Sequence, residues 1–442
     1  MKRLIDQDLI SWKRSVVRRS LILRGARQVG KTFAVRQLGG SYEDFYEINL
    51  EKRPDLHAIF NQNLDPIRIL KELSIDRGSS IYPGKTLLFL DEIQACPQAI
   101  LALRYFYEES PHLHVVGAGS LLEFALEQVG IPVGRVQSLT VYPMSFSEFL
   151  LARDGKLMLQ AIYEKTSFSE PIHEKILKIL AEYFVIGGLP EVVSSWIHMG
   201  KLPVTQEVLR SIITSYQQDF EKYAKKTQLK YLNLLLQNLP LQVGKKIKFQ
   251  GVGEYRKREL APCLELMEKA HISHIIYNTS GQGIPLGATA DLDFFKVICF
   301  DVASMQQLLG LDVKEWFLNP KAAFINQGKL VESFVGQEII AYSSPDIRNS
   351  LYYWHKEKKG SEAEVDYLSV IQGEVIPIEV KSGKGSTLKS LHSFLNSHPK
   401  SPYGVKLSVS ERSQFEKIIS IPLYAVFEIV DGGMDRVKFL CS

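Results

Sequence analysis

Residues Gly25-Ala26-Arg27-Gln28-Val29-Gly30-Lys31-Thr32, read with the aliphatic run Leu21-Ile22-Leu23 just before them, decide the fold. They spell G-x-x-x-x-G-K-[ST] where that pattern has physical meaning. A buried strand feeds a glycine turn, and Thr32 opens a helix (Phe33-Ala34-Val35-Arg36-Gln37-Leu38) that Gly39-Gly40 stops. Gly25 and Gly30 let the backbone curl so that amide N–H groups face phosphate oxygens, and the helix N-terminus adds partial positive charge. All eight residues, Gly25 to Thr32, are expected to surround the phosphates. Lys31 would reach the β- and γ-phosphates, and the Thr32 hydroxyl would ligate Mg²⁺. Arg27 holds a variable position of the pattern and receives no role in the reaction. The competing reading is a glycine-rich surface turn that happens to carry Lys-Thr; the flanking strand and helix argue against it.

A second stretch, Thr86-Leu87-Leu88-Phe89-Leu90-Asp91-Glu92, is an apolar strand ending in two carboxylates. Strands of a parallel sheet covered on both faces read as unbroken apolar runs, and ligands gather at their carboxyl ends. Asp91 is thus placed to hold the Mg²⁺ shell beside Thr32, and Glu92 to orient or deprotonate an attacking water. The bland reading is an acidic turn after a core strand. A third strand, Leu113-His114-Val115-Val116, runs into Gly117-Ala118-Gly119-Ser120. Ser120 is a candidate sensor of the γ-phosphate. It could equally cap a helix over Leu121 to Glu127, and the two readings are compatible.

Together with Asn49-Leu50-Glu51, Asp91-Glu92-Ile93-Gln94, Gly134-Arg135-Val136 and Tyr142-Pro143-Met144-Ser145-Phe146-Ser147-Glu148-Phe149, these motifs follow a recognisable order. The chain resembles the bacterial and archaeal AAA-type ATPases that pair an AAA_14 domain with a C-terminal DUF4143 region. Gly187-Gly188-Leu189-Pro190-Glu191 and Pro377-Ile378-Glu379-Val380-Lys381 match the second half of that architecture. The resemblance implies a P-loop fold and ATP as the nucleotide, and it says little about biological purpose. No guanine-reading Asn-Lys-x-Asp motif is present. Arg135 is the candidate charge-stabilising arginine, acting in cis or across a subunit contact. Its plainer reading is a surface arginine paired with a nearby acid.

At 442 residues the chain exceeds one ordinary hydrophobic core, so two or three domains are expected. A hydrophobic fraction of 45% and a charged fraction of 23% argue against disorder. A net charge of +4 is too mild to indicate nucleic acid by itself. Cys96, Cys263, Cys299 and Cys441 show no paired spacing, which suits a reducing compartment and argues against zinc or a disulfide frame. No apolar run approaches the roughly eighteen residues that span a bilayer, and Met1-Lys2-Arg3-Leu4 lacks the apolar core of a secretion signal. A cytoplasmic protein without a membrane partner is expected.

Strands and helices alternate over 1–150, as in a doubly wound nucleotide-binding domain with a short leading helix around Ser11-Trp12-Lys13-Arg14. Helical periodicity takes over from Phe149 to Phe220 with a break at Gly187-Gly188-Leu189-Pro190, predicting a helical lid over 151–227. Residues 228–300 read as a winged-helix-like module. It comprises a helix through Tyr231-Leu236, a turn at Gly251-Val252-Gly253, a helix from Glu254 to Ala270 and a strand Ile272-Tyr277. Lys245, Lys246, Lys248, Arg256, Lys257 and Arg258 could meet DNA phosphates there, or form a solvated face, since no base-reading set accompanies them. His271 and His274 read as packing or surface residues rather than metal ligands.

The segment 301–442 changes pattern again. A helix Leu330-Tyr342 with Glu332 and Glu338 precedes strands Leu351-Trp354, Ala363-Leu368 and Val375-Lys381, then a helix Leu388-Phe394 with Lys384 and Lys389 nearby. Strand side chains alternate, so Glu364 and Asp366 share one face, Glu379 and Lys381 share one face, and Val365, Ile378 and Val380 face a core. If the last two strands pair, Asp366 and Glu379 converge on a divalent metal with Lys381 beside them, a set that polarises a phosphodiester. The order resembles the PD-(D/E)xK nuclease fold, with Glu332 as the acid of its first helix. Val365 departs from the proline of the family name. The alternative is a mixed-charge sheet face, in a domain that binds without cutting.

The expectation is an α/β protein: a P-loop doubly wound parallel sheet, a helical lid, a winged-helix-like module and a C-terminal α/β restriction-endonuclease-like domain. It would bind and hydrolyse ATP with Mg²⁺ and act on, or answer to, DNA, with a homo-oligomer as a further candidate. Glu92, Ser120, Arg135, Asp366, Glu379 and Lys381 are its candidate catalytic residues; Thr32, Asp91, Asp366 and Glu379 are its candidate metal ligands. The rival expectation is a nucleotide-controlled switch whose C-terminal domain is a catalytically inactive DNA- or protein-binding module.

Overall fold

A computed structural model describes the whole chain apart from residues 121, 123, 124, 127–129, 131–133, 248, 250–254, 348, 349, 359, 360 and 382–387. The expected Leu121–Glu127 helix, the Gly251-Val252-Gly253 turn, Lys248 and Lys384 lie wholly or mostly outside the described residues.

Five strands build the first sheet: β1 (Ser20–Arg24), β2 (Asp44–Asn49), β3 (Thr86–Asp91), β4 (His114–Ala118) and β5 (Val136–Thr140). Their order is β2-β3-β4-β1-β5 and every pairing is parallel. The period-two alternation of a strand explains how one sheet serves two cores. Leu21, Leu23, Leu87, Phe89 and Val116 face one of them, while Ile22, Leu88, Leu90 and Val115 face the other. Helices Lys31–Gly39 and Pro97–Glu109 are among those that cover these faces. Because β4 lies between β1 and β3, the turns after β1, β3 and β4 open side by side at one end of the sheet.

Helices then follow without strands: Phe146–Ala152, Lys156–Tyr163, Glu170–Ile186, Pro190–Met199, Leu202–Tyr223 and Lys226–Gln242. The expected break falls between Ile186 and Pro190. The helix Lys257–Lys269 leads into a hairpin of β6 (Ser273–Thr279) and β7 (Ala290–Cys299). Sequence reading put that hairpin in a module ending at residue 300. Instead β6 pairs in parallel with β8 (Leu351–Lys358), so the hairpin forms the edge of the C-terminal sheet. The pairing joins residues far apart in sequence, which local periodicity cannot reveal.

That second sheet has the order β12-β13-β11-β10-β9-β8-β6-β7. It contains β9 (Ser361–Ile371), β10 (Glu374–Lys381), β11 (Gly404–Ser408), β12 (Ser413–Phe415) and β13 (Ile418–Pro422). The expected pairing of β9 with β10 is present and antiparallel, with Ile378 opposite Tyr367. Helix Gly328–Tyr342 is buried from Leu330 to Tyr342 and packs against the sheet, and the last helix, Gly433–Cys441, returns to the first, Leu4–Arg14. No helix among the described residues is long and apolar enough to cross a membrane.

Candidate nucleotide site

The phosphate loop leaves β1 and crosses Val141, the residue after β5 in the chain's return. Gly25 has φ +125°, and a Cβ there would lie 2.1 Å from the Val141 carbonyl oxygen, so only glycine fits. Gly30 takes a left-handed conformation at φ +97° and starts the helix Lys31–Gly39. Lys31 is buried, and its ammonium donates to the carbonyl oxygens of Gly25 at 2.9 Å and Ala26 at 2.8 Å. Burial pushes its pKa down to about 8 against the opposing pull of Glu92 and Asp91. The loop is thus closed on its own lysine, through carbonyls that a triphosphate would replace as partners.

Thr32 donates to Asp91 Oδ1 at 3.2 Å, and Asn49 Nδ2 donates to Asp91 Oδ2 at 3.3 Å. Burial, then the adjoining Glu92 charge, raises the Asp91 pKa. Such an oxygen-rich corner, short of positive charge, suits a hard divalent cation. Glu92 has a left-handed backbone at φ 48°, uncommon for a non-glycine residue and typical of functional turns. Ser120 is buried, and its hydroxyl lies 3.4 Å from Glu92 Oε2.

These groups line a cavity of about 620 Å³ whose far wall sequence reading did not supply. Met1 and Arg3 come from the start of the chain, and Pro190, Glu191, Ser194 and His198 from the helix Pro190–Met199. Arg3 donates to Val29 O at 3.0 Å and to Tyr142 O at 2.8 Å, joining the loop to the segment after β5. Arg27 pairs with Asp219 at 2.7 Å, and Tyr216 donates to the Arg27 carbonyl at 2.6 Å, which pins the loop to helix Leu202–Tyr223. Lys222 of that helix also pairs with Glu51. Arg3 and Gln94 were missed; the only trace of them was an arginine before an amphipathic helix and the Gln of Asp91-Glu92-Ile93-Gln94.

Arg135 is not brought to this cavity. It precedes β5 and therefore sits at the amino end of the sheet, opposite the loop, where it pairs with Glu108 at 2.6 Å. Strand direction corrects the expectation of a role in cis.

The second set of expected residues also gathers. Asp366 accepts from the Val380 amide at 2.7 Å, and Lys381 lies 2.5 Å from Glu379 Oε1. Burial, then Glu332 and Glu379, drives the Asp366 pKa well up; burial also raises that of Glu379, with Lys381 opposing. Lys296 of β7, unforeseen, enters the cluster. Its buried ammonium lies 3.1 Å from Glu332 Oε1 and 2.5 Å from Glu364 Oε1. Burial works to lower the Lys296 pKa, but Glu332, Glu364 and Asp366 outweigh it and raise it. A protein cation thus stands among the carboxylates, and no group of three or more metal-competent side chains occurs among the described residues. The residues therefore fit a lysine-neutralised cluster better than the metal centre expected at Asp366 and Glu379. Glu338 lies elsewhere: both its oxygens accept from the Phe146 amide, at 3.0 and 3.1 Å.

Two of the basic residues around the helix Lys257–Lys269 have partners of their own. Lys257 pairs with Asp293, and the Lys246 ammonium lies 3.1 Å from the Phe294 ring centroid. His271 and His274 each meet the Tyr142 ring edge-on, at 6.0 and 6.1 Å.

Comparison with known proteins assigns residues 17–150 to an AAA domain family, AAA_14. Residues 177–315 match a domain of unknown function, DUF8612, which runs across the boundary expected at residue 227, and residues 327–425 match DUF4143, also of unknown function. No curated protein matches. Among solved structures, the Aeropyrum pernix Orc1 protein in complex with DNA aligns at 14% identity and TM-score 0.25, covering 69% of this chain and 90% of that one. The S. cerevisiae Hsp104–ADP complex aligns at 13% identity and TM-score 0.30, covering 77% of this chain and 44% of that one. The weight rests on the domain match over 17–150, laid on a parallel sheet with its phosphate loop after β1: residues 17–150 form an AAA domain of the P-loop fold.

Proposed function

We propose that the protein hydrolyses ATP with Mg²⁺ in the cavity at the carboxyl ends of β1, β3 and β4. The observation that carries this is the convergence of Lys31, Thr32, Asp91, Glu92 and Ser120 on one cavity. Lys31 leaves its two loop carbonyls and binds the β- and γ-phosphates, with the loop amides cradling them. Thr32 and Asp91 are the residues that would hold Mg²⁺. When bound, the ion neutralises charge on the phosphate oxygens. Glu92 accepts the proton of the attacking water and aims it in line with the leaving group. Ser120, beside the same carboxylate, contacts the γ-phosphate or that water.

For the C-terminal region the reading with most support is a module whose strand order resembles the nuclease fold but which does not cut. Lys296 supports it, because its ammonium neutralises Glu332 and Glu364 where a catalytic divalent ion would need open carboxylates. Nucleotide state would then govern what this module binds, with DNA the candidate ligand. Any assembly that placed Arg135 at a neighbour's γ-phosphate belongs to the same proposal.

The test is ATP and GTP hydrolysis, with and without single- and double-stranded DNA, by the unmodified protein, Lys31→Ala, Glu92→Gln and Asp366→Ala. Loss of nucleotide binding in Lys31→Ala, and of turnover alone in Glu92→Gln, is expected. Full turnover by Glu92→Gln would overturn the ATPase mechanism. Mg²⁺-dependent plasmid cleavage abolished by Asp366→Ala would overturn the non-cleaving module.

A further inference from the structure

Glu92 does not stand alone at the end of β3. The chain turns through Ile93–Ala95, a single 3-10 turn, and this brings Gln94 back beside Glu92. Gln94 Nε2 donates to Glu92 Oε2 at 2.5 Å. The other two donors to the carboxylate, the Ser120 amide at 3.5 Å and hydroxyl at 3.4 Å, are long and fall on the same oxygen. Among the described residues, every hydrogen bond to Glu92 therefore meets Oε2, and Oε1 is left for a water.

Gln94 is buried, and its own Oε1 has no hydrogen-bond partner among the described residues. It lies flat on the backbone of Gly119: a Cβ at that position would be 1.9 Å from Gln94 Oε1 and 2.9 Å from its Cδ. Leaving a buried amide oxygen without a donor is costly, so the arrangement calls for a compensating role. Glu92, Gly119 and Ser120 line the nucleotide cavity, whereas Gln94 stands behind them.

We propose that Gln94 is a positioning residue for ATP hydrolysis: its amide holds one oxygen of Glu92 so that the other faces the attacking water, and residue 119 is glycine because the Gln94 amide occupies the space of a side chain there. This rests on the reading of Glu92 as the group that receives the water's proton. A hydrogen bond to an ionised carboxylate fixes its orientation. Losing it should therefore lower turnover without altering how tightly nucleotide binds. The role is distinct from that of Asn49, which meets Asp91 at the metal corner.

The experiment compares Gln94→Leu, Gln94→Glu, Gly119→Ala and the double variant Gly119→Ala/Gln94→Ala in the full-length protein. Each is assayed for kcat, KM, fluorescent-ATP affinity and melting temperature. Gln94→Leu should lower kcat about 10- to 100-fold, with nucleotide affinity within twofold. Gln94→Glu, which sets a second carboxylate against Glu92, should lower kcat at least as far, again with affinity retained. Gly119→Ala should mimic Gln94→Leu. In the double variant, adding the methyl at 119 should cost nothing beyond the loss of Gln94, because the space is already empty. Wild-type kcat in Gln94→Leu would overturn the proposal. So would a fall in kcat matched by lost affinity and melting temperature. Glu92→Gln separates the layers: if it turns over ATP normally, the reading of Glu92 fails; if it is inactive while Gln94→Leu is normal, only the role of Gln94 fails.

Discussion

Arg3 Nε donates to Glu148 Oε1 at 2.7 Å, with both side chains buried. The same carboxylate accepts from the backbone amides of Leu4 and Ser145, each at 2.7 Å. One ion pair therefore joins the leading helix, the phosphate loop through Val29, and the start of the helical region. Removing one partner of a buried pair leaves the other charged and unpaired. Arg3→Met should destabilise the protein by about 3–5 kcal/mol in denaturant unfolding and weaken nucleotide binding. Arg3→Met/Glu148→Gln should recover part of the stability without recovering the affinity.

Lys31 supplies a pH signature. Its ammonium must be charged to hold phosphates, and the free protein holds its pKa at about 8. Bound phosphates would raise that value, so above pH 8 binding takes up a proton. Affinity is fully present below pH 8 and falls as pH rises beyond it, by up to about tenfold per pH unit. ATP titration by calorimetry from pH 7 to 9.5, in buffers of different ionisation heat, reads both the affinity and the proton uptake. A flat profile would contradict the buried lysine.

Glu338 carries the opposite kind of linkage. Burial raises its pKa to about 8, so the folded protein keeps it neutral at pH 7 while the unfolded chain ionises it. A raised acid pKa gives stability that is full below about pH 4.5 and is lost as pH climbs through 8. Glu338→Gln keeps an acceptor for the Phe146 amide and cannot ionise. Its stability should exceed that of the unmodified protein at pH 8, by a margin of order 1–3 kcal/mol that vanishes near pH 4.5. Chemical denaturation at the two pH values measures it.

Lys296 allows a test by metal. Lys296→Met removes the cation between Glu332 and Glu364 and should cost about 3–5 kcal/mol in metal-free buffer. Mn²⁺ should then raise the melting temperature of the variant and leave the unmodified protein unchanged. Equal stabilisation of both would restore the metal site expected at Asp366 and Glu379.

The legible part of this molecule was the part written in local pattern. The phosphate loop, the acidic end of β3 and the helix–strand–helix order from Leu330 to Phe394 follow from period, glycine placement and charge at strand ends. What escaped depended on the return of distant chain. Arg3 matters because the first helix folds back over the loop. Lys296 matters because the β6–β7 hairpin joins a sheet whose remaining strands start only at Leu351; a lysine beside Phe295, Val297 and Ile298 was its only trace. For Arg135 the motif gives residue order, not which end of a strand faces the ligand, and its pairing with Glu108 matches the plainer reading of a surface arginine beside an acid.

The two extremities of the chain clasp each other. Lys2 donates to the Phe439 carbonyl, and Asp8 pairs with Arg436 at 3.0 Å. Met1 and Arg3, on either side of Lys2, line one wall of the nucleotide cavity and would form the roof over a bound triphosphate. A triphosphate that pushed this roof aside would pull on the final helix, giving the nucleotide a mechanical lever on the remote sheet that bypasses every intervening helix.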